Sequence, residues 1–341
     1  MEITTKPAND AKIVVIGAGS IGCWVGGALL LAGRNVAFLG RPKIAGEIAQ
    51  HGLRITDHEG RDTTLPAGRV PISIDETILN DADIVIISVK SSATIDATLS
   101  VAKHAPKHAT VLSFQNGVRN AQRIREVLGK DADVRAVMVP FNVVWAAEGH
   151  FHRGVEGELI LQEGASDLSE ILSVEGLVAK TTADIEAVLW GKILLNLNNA
   201  LNALSDIPLK VQLSDRGWRK VLAACQAEAL AAMKSADILP HTELPVPLKW
   251  MPTILRLPNF LFERVAAKML AIDENARSSM WEDLTRGRKT EIADLQGEIV
   301  NLAMKQNTPS PMNQRVMNTI RLAETTKSGS PALNATHFTK N

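Results

Sequence analysis

The chain has 341 residues with 37 basic and 37 acidic side chains, so its formal net charge is zero. This length exceeds the usual size of one hydrophobic core, and we therefore expect two domains. The balanced charge argues against a nucleic-acid-binding or membrane-surface protein, since both usually need a basic excess. It favours a small molecule as the partner.

The expected compartment is the cytoplasm. The first ten residues are polar and no run of about 18 apolar residues occurs, so neither a secretory signal nor a membrane-spanning helix is predicted. The two cysteines, Cys23 and Cys225, lie far apart in apolar stretches. This placement predicts reduced core residues.

The first predicted strand leads directly into a glycine motif. Lys12-Ile-Val-Val-Ile16 is typical of a buried parallel strand, and Gly17-Ala-Gly-Ser-Ile-Gly22 follows it. Three glycines suit a tight turn and close approach of a pyrophosphate, and the next helix, 23–32, would aim its N-terminus at the phosphates. Because a second strand follows at 35–39, the context predicts dinucleotide binding through the motif residues Gly17, Gly19, Ser20, Ile21 and Gly22. The alternative is a glycine-rich turn without a ligand.

The end of the second strand bears on which dinucleotide is preferred. NAD sites usually carry Asp or Glu there, whereas this chain reads Gly40-Arg41-Pro42-Lys43. Two cations without a carboxylate fit a 2′-phosphate, which a guanidinium can bind through two hydrogen bonds. The sequence therefore favours NADP and Arg41 as a ligand, unless Arg41 and Lys43 are simply solvated loop charges.

Further short strands are predicted downstream at 51–56, 71–74, 83–89, 109–114, 134–139, 158–161 and 177–180. In open parallel sheets ligands bind at the carboxyl ends of strands. Lys90 and Asn116 follow two of these strands and are therefore expected to face the cofactor. Alternatively, Lys90 is an ordinary loop cation and Asn116 a turn residue before glycine.

From about Asp184 the sequence shows helical patterning. Val188–Leu201 is apolar and lacks proline, which predicts one buried helix. At 100° per residue, three of its polar residues, Lys192, Asn196 and Asn199, share one face. Because buried polar groups need partners, this face would bind either a small polar ligand or a structural network of amides.

The rest of this half is predicted to be mainly helical. Helices are expected at 216–234, 262–270 and 294–305, the five prolines within 239–261 predict a packed loop, and 328–341 is expected to be a disordered tail. No metal site is expected, because no convincing ligand set is found among the histidines expected in loops or turns, namely His104, His108, His150, His152 and His241.

The glycine motif, Lys90, Gln115-Asn-Gly117 and the Lys192 helix occur in an order and spacing that resembles the ketopantoate reductase family. The resemblance extends from about Lys12 to about Glu324. It implies an α/β fold, with a Rossmann-type parallel-sheet domain that binds NADPH followed by an all-helical substrate domain. We expect these domains at residues 11–182 and 183–326, with flexible tails at 1–10 and 327–341.

The resemblance also implies roles for single residues. Lys192 would be the general acid toward the keto oxygen, and Asn196 would bind the substrate. The family often places another asparagine eight residues after the lysine, where this chain has Ala200. Either the helix is locally adjusted or the far end of the substrate is read differently. Asn199 lies on the face of the lysine by helical geometry and Asn198 does not, so we expect Asn199 to contact the substrate.

Two later residues complete the implied site, with Ser279 binding the substrate carboxylate and Glu291 supporting Lys192. Twelve residues of straight helix would span about 18 Å, too far for both ends to reach one small keto acid. The chain must therefore turn between them. Gly287 is suited to end one helix and Thr290 to cap the next. Glu291 would then be the first residue of that second helix, where a carboxylate is favourable even without a catalytic role.

The implied activity is reduction of 2-dehydropantoate to pantoate with NADPH, with Lys192 protonating the developing alkoxide. One alternative is a reductase of another branched or aromatic 2-oxo acid. The other is a non-catalytic NADP-binding protein, since fold alone does not imply function. The apolar helical half makes a homodimer a fair expectation.

Overall fold

The structure, a computed structural model, describes residues 10–267 and 274–339. Most of the expected N-terminal tail and the end of the predicted helix 262–270 lie outside these ranges. The chain divides into two units, Met1–Ile185 and Glu186–Asn341, here called the sheet unit and the helical unit. None of the described helices is both long and apolar enough to cross a membrane.

The strands of the sheet unit are β1 (Ile13–Ile16), β2 (Val36–Leu39), β3 (Leu53–Asp57), β4 (Asp62–Leu65), β5 (Ile72–Ser73), β6 (Ile84–Ile87), β7 (Thr110–Ser113), β8 (Val134–Met138), β9 (Val143–Ala147), β10 (His150–Arg153), β11 (Leu159–Gln162) and β12 (Ala179–Thr182). Its helices are α1 (Ser20–Leu31), α2 (Pro42–His51), α3 (Thr94–His104), α4 (Asn120–Leu128) and α5 (Ser169–Leu172). Every residue of β1 and β6 is buried, as in parallel sheets covered on both faces.

The larger sheet has eight strands in the order β12-β11-β8-β7-β6-β1-β2-β5. Neighbours are parallel from β8 to β5, but β11 is antiparallel to β8. The predicted parallel-sheet domain is therefore confirmed, and one antiparallel strand pair makes the sheet mixed. The chain passes from β8 to β11 through β9 and β10 without a helical crossover, and it therefore returns in the opposite direction.

Four neighbouring strands end at the same level of the larger sheet. Ile16 at the end of β1 pairs with both Leu39 and Ile87, and Ile87 in turn pairs with Ser113. The segments that follow β1, β2, β6 and β7 therefore emerge at one edge. This edge carries the glycine motif, the Arg41 segment and the loops of Lys90 and Asn116.

A second sheet has the order β4-β3-β10-β9. His150 and His152 both lie on β10 of this sheet, so the expectation that they lie in loops is wrong. The same expectation is wrong for His104, which is the last residue of α3. His150 Nε2 and His152 Nδ1 each lie 2.8 Å from the Thr56 hydroxyl on the neighbouring strand. Alternate residues of a strand face the same side, which brings both imidazoles to one hydroxyl.

The helical unit contains, in its described residues, α6 (Ile185–Asn196, beginning at the last residue of the sheet unit), α7 (Asn198–Ser205), α8 (Leu209–Ser214), α9 (Arg216–Ser235), α10 (Met251–Leu255), α11 (Asn259–Val265), α12 (Ser279–Thr285), α13 (Gln296–Lys305), α14 (Pro311–Thr326) and α15 (Thr336–Thr339). Its core includes fully buried leucines on α6 and α7, Cys225 on α9, Ile299 on α13 and Ile320 on α14. The predicted helix at 216–234 is confirmed as α9.

Two helix predictions in this unit need correction. The expected single helix 188–201 is interrupted at Leu197, which divides it into α6 and α7. The proline-rich stretch 239–261 is not simply a loop, since it contains α10 and the start of α11. Pro252 lies in the first turn of α10 and Pro258 directly precedes α11, positions where the missing N–H costs no intrahelical hydrogen bond.

The C-terminal segment 328–339 packs against the helical unit, in contrast to the flexible tail predicted from residue 327. Phe338 is buried against Trp218 with ring centroids 5.8 Å apart. The Leu333 N–H donates to the Leu204 carbonyl at 2.8 Å. The local composition of this segment does not predict its packing, because its partners Leu204 and Trp218 lie more than 100 residues away in sequence.

Candidate active site

The turn between β1 and α1 requires glycine at two positions. Gly17 has φ +98°, a conformation that disfavours side chains, and its carbonyl accepts hydrogen bonds from the Gly19 N–H at 2.7 Å and the Ser88 hydroxyl at 2.8 Å. A Cβ added to Gly22 would lie 2.3 Å from that carbonyl oxygen and 2.4 Å from the Ser88 Oγ. The turn is therefore held closely against the end of β6.

The turn also has the features of an anion cradle. A Cβ added to Gly19 would meet nothing within 4 Å, so the space in front of this residue is open. Within the described residues, no side chain caps the N-terminus of α1, and its first turn carries no acidic residue. Ser20 and Ile21 begin the helix, half-buried. Backbone N–H groups at an uncapped helix N-terminus favour a phosphate, so this cradle fits the pyrophosphate of a dinucleotide.

Arg41 and Lys43 lie at the start of α2 and both are exposed. Arg41 occupies the position directly before the helix, following the end of β2. Lys43 has its ammonium 5.5 Å from the centre of the Trp145 ring, within cation–π range. Lys43 therefore already has a partner in the protein.

Lys90 and Asn116 follow neighbouring parallel strands at matching distances, since each lies three residues beyond the paired residues Ile87 and Ser113. Lys90 is exposed and Asn116 half-buried. Buried Gln115 links the two segments. Its Nε2 donates to the Val89 carbonyl at 2.9 Å and to the Thr94 hydroxyl at 2.7 Å.

Lys192 lies on α6, half-buried within the helical unit. Burial lowers the pKa of its ammonium from 10.5 to about 8, and the attraction of Glu291 acts in the opposite direction. The structure thus brings together two residues that are 99 positions apart in sequence. A lysine with this pKa is mostly protonated at neutral pH and releases its proton more readily than an ordinary lysine.

The asparagines around the Leu197 break differ in their partners. Asn196 and Asn199 are half-buried, whereas Asn198 is buried and forms a reciprocal amide pair with Gln212 at 3.0 and 3.3 Å. The side chain of Asn198 is therefore committed to a structural pair.

The start of α12 lies beside Asn199. The Ser278 hydroxyl donates to the Asn199 carbonyl at 2.9 Å and accepts from the Trp281 N–H at 3.1 Å, so it caps this helix. The Ser278 N–H donates to Asn202 Oδ1 at 2.8 Å. Ser279 follows as the first residue of α12 and is exposed.

The predicted turn between Ser279 and Glu291 is confirmed. Gly287, with φ +62°, ends α12 in a Schellman motif, in which its N–H donates to the Leu284 carbonyl and the Arg288 N–H donates to the Asp283 carbonyl. The Thr290 hydroxyl accepts from the Ile292 N–H at 3.2 Å. Glu291 directly precedes the short 3₁₀ helix Ile292–Asp294.

Three supporting residues are not predicted from the sequence, namely Gln115, Asn202 and Ser278. All three are buried polar side chains that hold backbone groups near predicted site residues. For Asn202 the available signal was a polar residue in an otherwise apolar run, whereas Ser278 stands in a polar stretch and carries no such signal.

Two family models match this chain. The model for ketopantoate reductase PanE/ApbA matches residues 13–166, and the model for the C terminal of ketopantoate reductase PanE/ApbA matches residues 184–324. The chain belongs to the ketopantoate reductase family. It is therefore an oxidoreductase, with the mixed sheet and helical units of that family.

Two individual ketopantoate reductases are similar to this chain over most of its length. The 2-dehydropantoate 2-reductase of Halobacterium salinarum is 26% identical over 325 residues, covering 92% of this chain and 99% of that protein. The structure of a ketopantoate reductase family protein from Ralstonia eutropha JMP134 is 29% identical, has a TM-score of 0.79, and covers 93% of this chain and 99% of its own.

D-mandelate dehydrogenase, in a ternary structure with NADH and anilino(oxo)acetate, shares the fold. Its TM-score is 0.77 at 19% identity, covering 93% of this chain and 99% of that chain. For this ketopantoate reductase family member, the family and the glycine cradle together indicate a nicotinamide dinucleotide as the cofactor.

Proposed function

We propose that the protein reduces 2-dehydropantoate to pantoate with NADPH and that Lys192 supplies the proton. The observation that carries the proposal is the half-buried Lys192, whose ammonium is attracted by Glu291 and has a pKa of about 8. Relatives that span nearly the whole chain are named 2-dehydropantoate 2-reductase, which supports the choice of substrate.

The proposed chemistry adds two hydrogens across a carbonyl. NADPH, when bound, supplies a hydride to the carbonyl carbon of the 2-oxo acid. Lys192 donates a hydrogen bond to the carbonyl oxygen and then transfers its proton to the developing alkoxide, which balances charge and gives the 2-hydroxy acid. Glu291 keeps the lysine protonated at higher pH than burial alone would allow.

The remaining polar residues would orient the substrate. Asn196 lies one helical turn beyond Lys192 and can reach the same ligand. Ser279 would bind the carboxylate at the N-terminus of α12, where N–H groups favour an anion. We propose that Asn199 binds the far end of the substrate, because Asn198 is paired with Gln212, and that Asn116 contributes from the loop after β7.

The preference for NADPH is proposed from Arg41. The residue after β2 is Gly40 and the next is Arg41, so no carboxylate stands where NAD sites bind the ribose 2′-hydroxyl. Gly17, Gly19, Ser20, Ile21 and Gly22 would hold the pyrophosphate. Lys90, at the carboxyl edge of the sheet, would add a positive charge near the cofactor.

The test is the initial rate of NADPH oxidation with 2-dehydropantoate, compared with NADH and with branched and aromatic 2-oxo acids. We expect the highest kcat/KM for NADPH with 2-dehydropantoate. Lys192→Ala should lower turnover by several orders of magnitude while NADPH still binds, as measured by fluorescence titration. Near-full turnover of Lys192→Ala would refute the role of the lysine.

A second substrate class is favoured by one observation. Position 200, where the family often has an asparagine, is a buried alanine beyond the Leu197 break. A different branched or aromatic 2-oxo acid could therefore be preferred, and a higher kcat/KM for such an acid would show it. Absence of any substrate-dependent NADPH oxidation would instead indicate a non-catalytic NADP-binding protein.

A homodimer is proposed as the solution state. The helical unit exposes large apolar side chains, among them Leu239, Trp250, Phe260 and Val265. Exposed apolar surface of this kind is typical of protein interfaces. The molar mass from light scattering should be twice 36.8 kDa, and a monomer at micromolar concentration would contradict the proposal.

A further inference from the structure

Two buried glutamines bind the backbone of the two-part helix α6–α7. Gln226 on α9 is 1% exposed, and Gln296 at the start of α13 is fully buried. Gln226 Nε2 donates to the Leu194 carbonyl at 3.1 Å, and Gln296 Nε2 donates to the Leu197 carbonyl at 2.8 Å. The two side chains therefore make the same type of hydrogen bond to the same helical segment.

The two glutamines differ in what else their segments carry. Gln296 follows Glu291 by five residues, and Leu197 follows Lys192 by five residues. The Gln296–Leu197 hydrogen bond thus joins the stretch that bears the carboxylate to the helix that bears the ammonium. Gln226 joins α9 to that helix, and neither Lys192 nor Glu291 lies on α9.

We propose that Gln296 is a positioning residue, whose hydrogen bond to the Leu197 carbonyl keeps the Glu291 segment in register with the Lys192 helix. This inference rests on the proposed function for its catalytic meaning. The hydrogen bond itself and the Lys192–Glu291 attraction are features of the fold.

Two other hydrogen bonds beside Glu291 lead to α14 instead of α6. The Thr290 N–H and hydroxyl both donate to Glu324 Oε1 on α14, at 2.8 and 2.6 Å. Without the Gln296 hydrogen bond, the Glu291 segment would stay attached to α14 and lose a direct tie to the lysine helix. Coulombic attraction falls as the charges separate, so Glu291 would then hold the lysine proton less strongly.

Three further acidic side chains lie on the same segments as Glu291 and Lys192. Asp294 and Glu298 are buried on the stretch that follows Glu291, and Glu186 on α6 accepts a hydrogen bond from the Trp190 indole at 3.3 Å. Among the charges of the described residues, the attraction of Glu291 raises the pKa of Lys192. A change in Gln296 should therefore act on Lys192 through Glu291.

The test compares Gln296→Met with the matched control Gln226→Met. Methionine keeps the length of the side chain and removes the donor, and both sites are buried to the same degree. The pKa of Lys192 is measured in the full-length protein by competitive acylation at a series of pH values, with the Lys192 peptide quantified by mass spectrometry. We expect the Gln296 variant to lower this pKa by roughly 0.5 to 1 unit.

The control variant should lose comparable thermal stability, because it loses the same buried hydrogen bond, but leave the Lys192 pKa within error of the wild type. Equal shifts in both variants, or no shift in Gln296→Met, would overturn the proposal. If methionine prevents folding, Gln296→Asn and Gln226→Asn serve instead, since asparagine is one methylene too short to reach the carbonyl.

A double variant tests whether the effect passes through Glu291. In a Glu291→Gln background, adding Gln296→Met should cause no further shift of the Lys192 pKa, because the charge to be positioned is gone. An additive shift would overturn the proposed route. The acylation measurement needs no substrate, so loss of the proposed activity would appear separately, as absence of 2-oxo acid reduction by the wild type.

Discussion

Replacing Glu291 by glutamine is expected to move the alkaline limit of 2-oxo acid reduction to lower pH. In the proposed mechanism the protonated form of Lys192 is the general acid, and its fraction falls as pH rises through the pKa. In the wild type this pKa is about 8, with burial lowering it and Glu291 raising it. Removal of the carboxylate charge leaves burial unopposed, so the pKa should fall by roughly one unit.

The size of the effect should depend on pH. A shift from about 8 to about 7 lowers the protonated fraction about 1.3-fold at pH 6.5 and about eightfold at pH 8.5. The assay is kcat/KM for 2-dehydropantoate at saturating NADPH between pH 6.5 and 9.5. Its logarithm should decline with unit slope above pH 8 for the wild type and above about pH 7 for the variant.

Glu291→Asp is the matched control, because it keeps the charge and changes only the reach of the side chain. Its alkaline limit should remain closer to that of the wild type. A decrease of kcat/KM by one constant factor at every pH in Glu291→Gln would refute this role, since it would mean that Glu291 is structural and has no influence on the lysine proton.

Arg41→Ala should reduce the ratio of NADPH to NADH affinity by roughly 10- to 100-fold, because a charge-assisted hydrogen bond is lost. Lys43→Ala should change this ratio less, because the Lys43 ammonium already contacts the Trp145 ring. Unchanged ratios in fluorescence titrations would contradict this. Gly19→Ala should keep the melting temperature but weaken NADPH binding about tenfold. Gly22→Ala should instead destabilise the fold, because its Cβ would lie 2.3 Å from a carbonyl oxygen. Equal NADPH affinity of the wild type and Gly19→Ala would argue against the cradle. Phe338→Ala should cost about 3–5 kcal/mol in urea unfolding, and a loss below about 0.5 kcal/mol would indicate that the C-terminal segment does not stay packed.

Local sequence patterns predicted much of the fold and proposed most of the candidate site. The β-branched runs at β1 and β6, the glycine turn at residues 17–22 and the helix end at Gly287 all follow from conformational preferences within a few residues. The same motifs supported the family resemblance that the family models confirm. The roles proposed for Lys192, Glu291 and the other site residues stay predictions until the variants are measured.

Helical periodicity placed Lys192, Asn196 and Asn199 on one face but did not reveal the break at Leu197. It also could not separate Asn198 from Asn199 by their partners, because Gln212, which pairs with Asn198, lies on another helix. The antiparallel β11, the strand position of His150 and His152, and the packed segment 328–339 were missed for a related reason. Each depends on pairing between segments distant in sequence.

The sequence by itself therefore determined the local conformations and the family, because torsional preferences and hydrophobic periodicity act over short stretches of chain. Only the tertiary structure decided which buried polar groups become partners. The Gln296 amide reaches the Leu197 carbonyl and Glu291 attracts Lys192 across about 100 residues of sequence. Such pairs form because burial makes an unpaired polar group costly, and which partner lies within reach depends on how the whole chain packs.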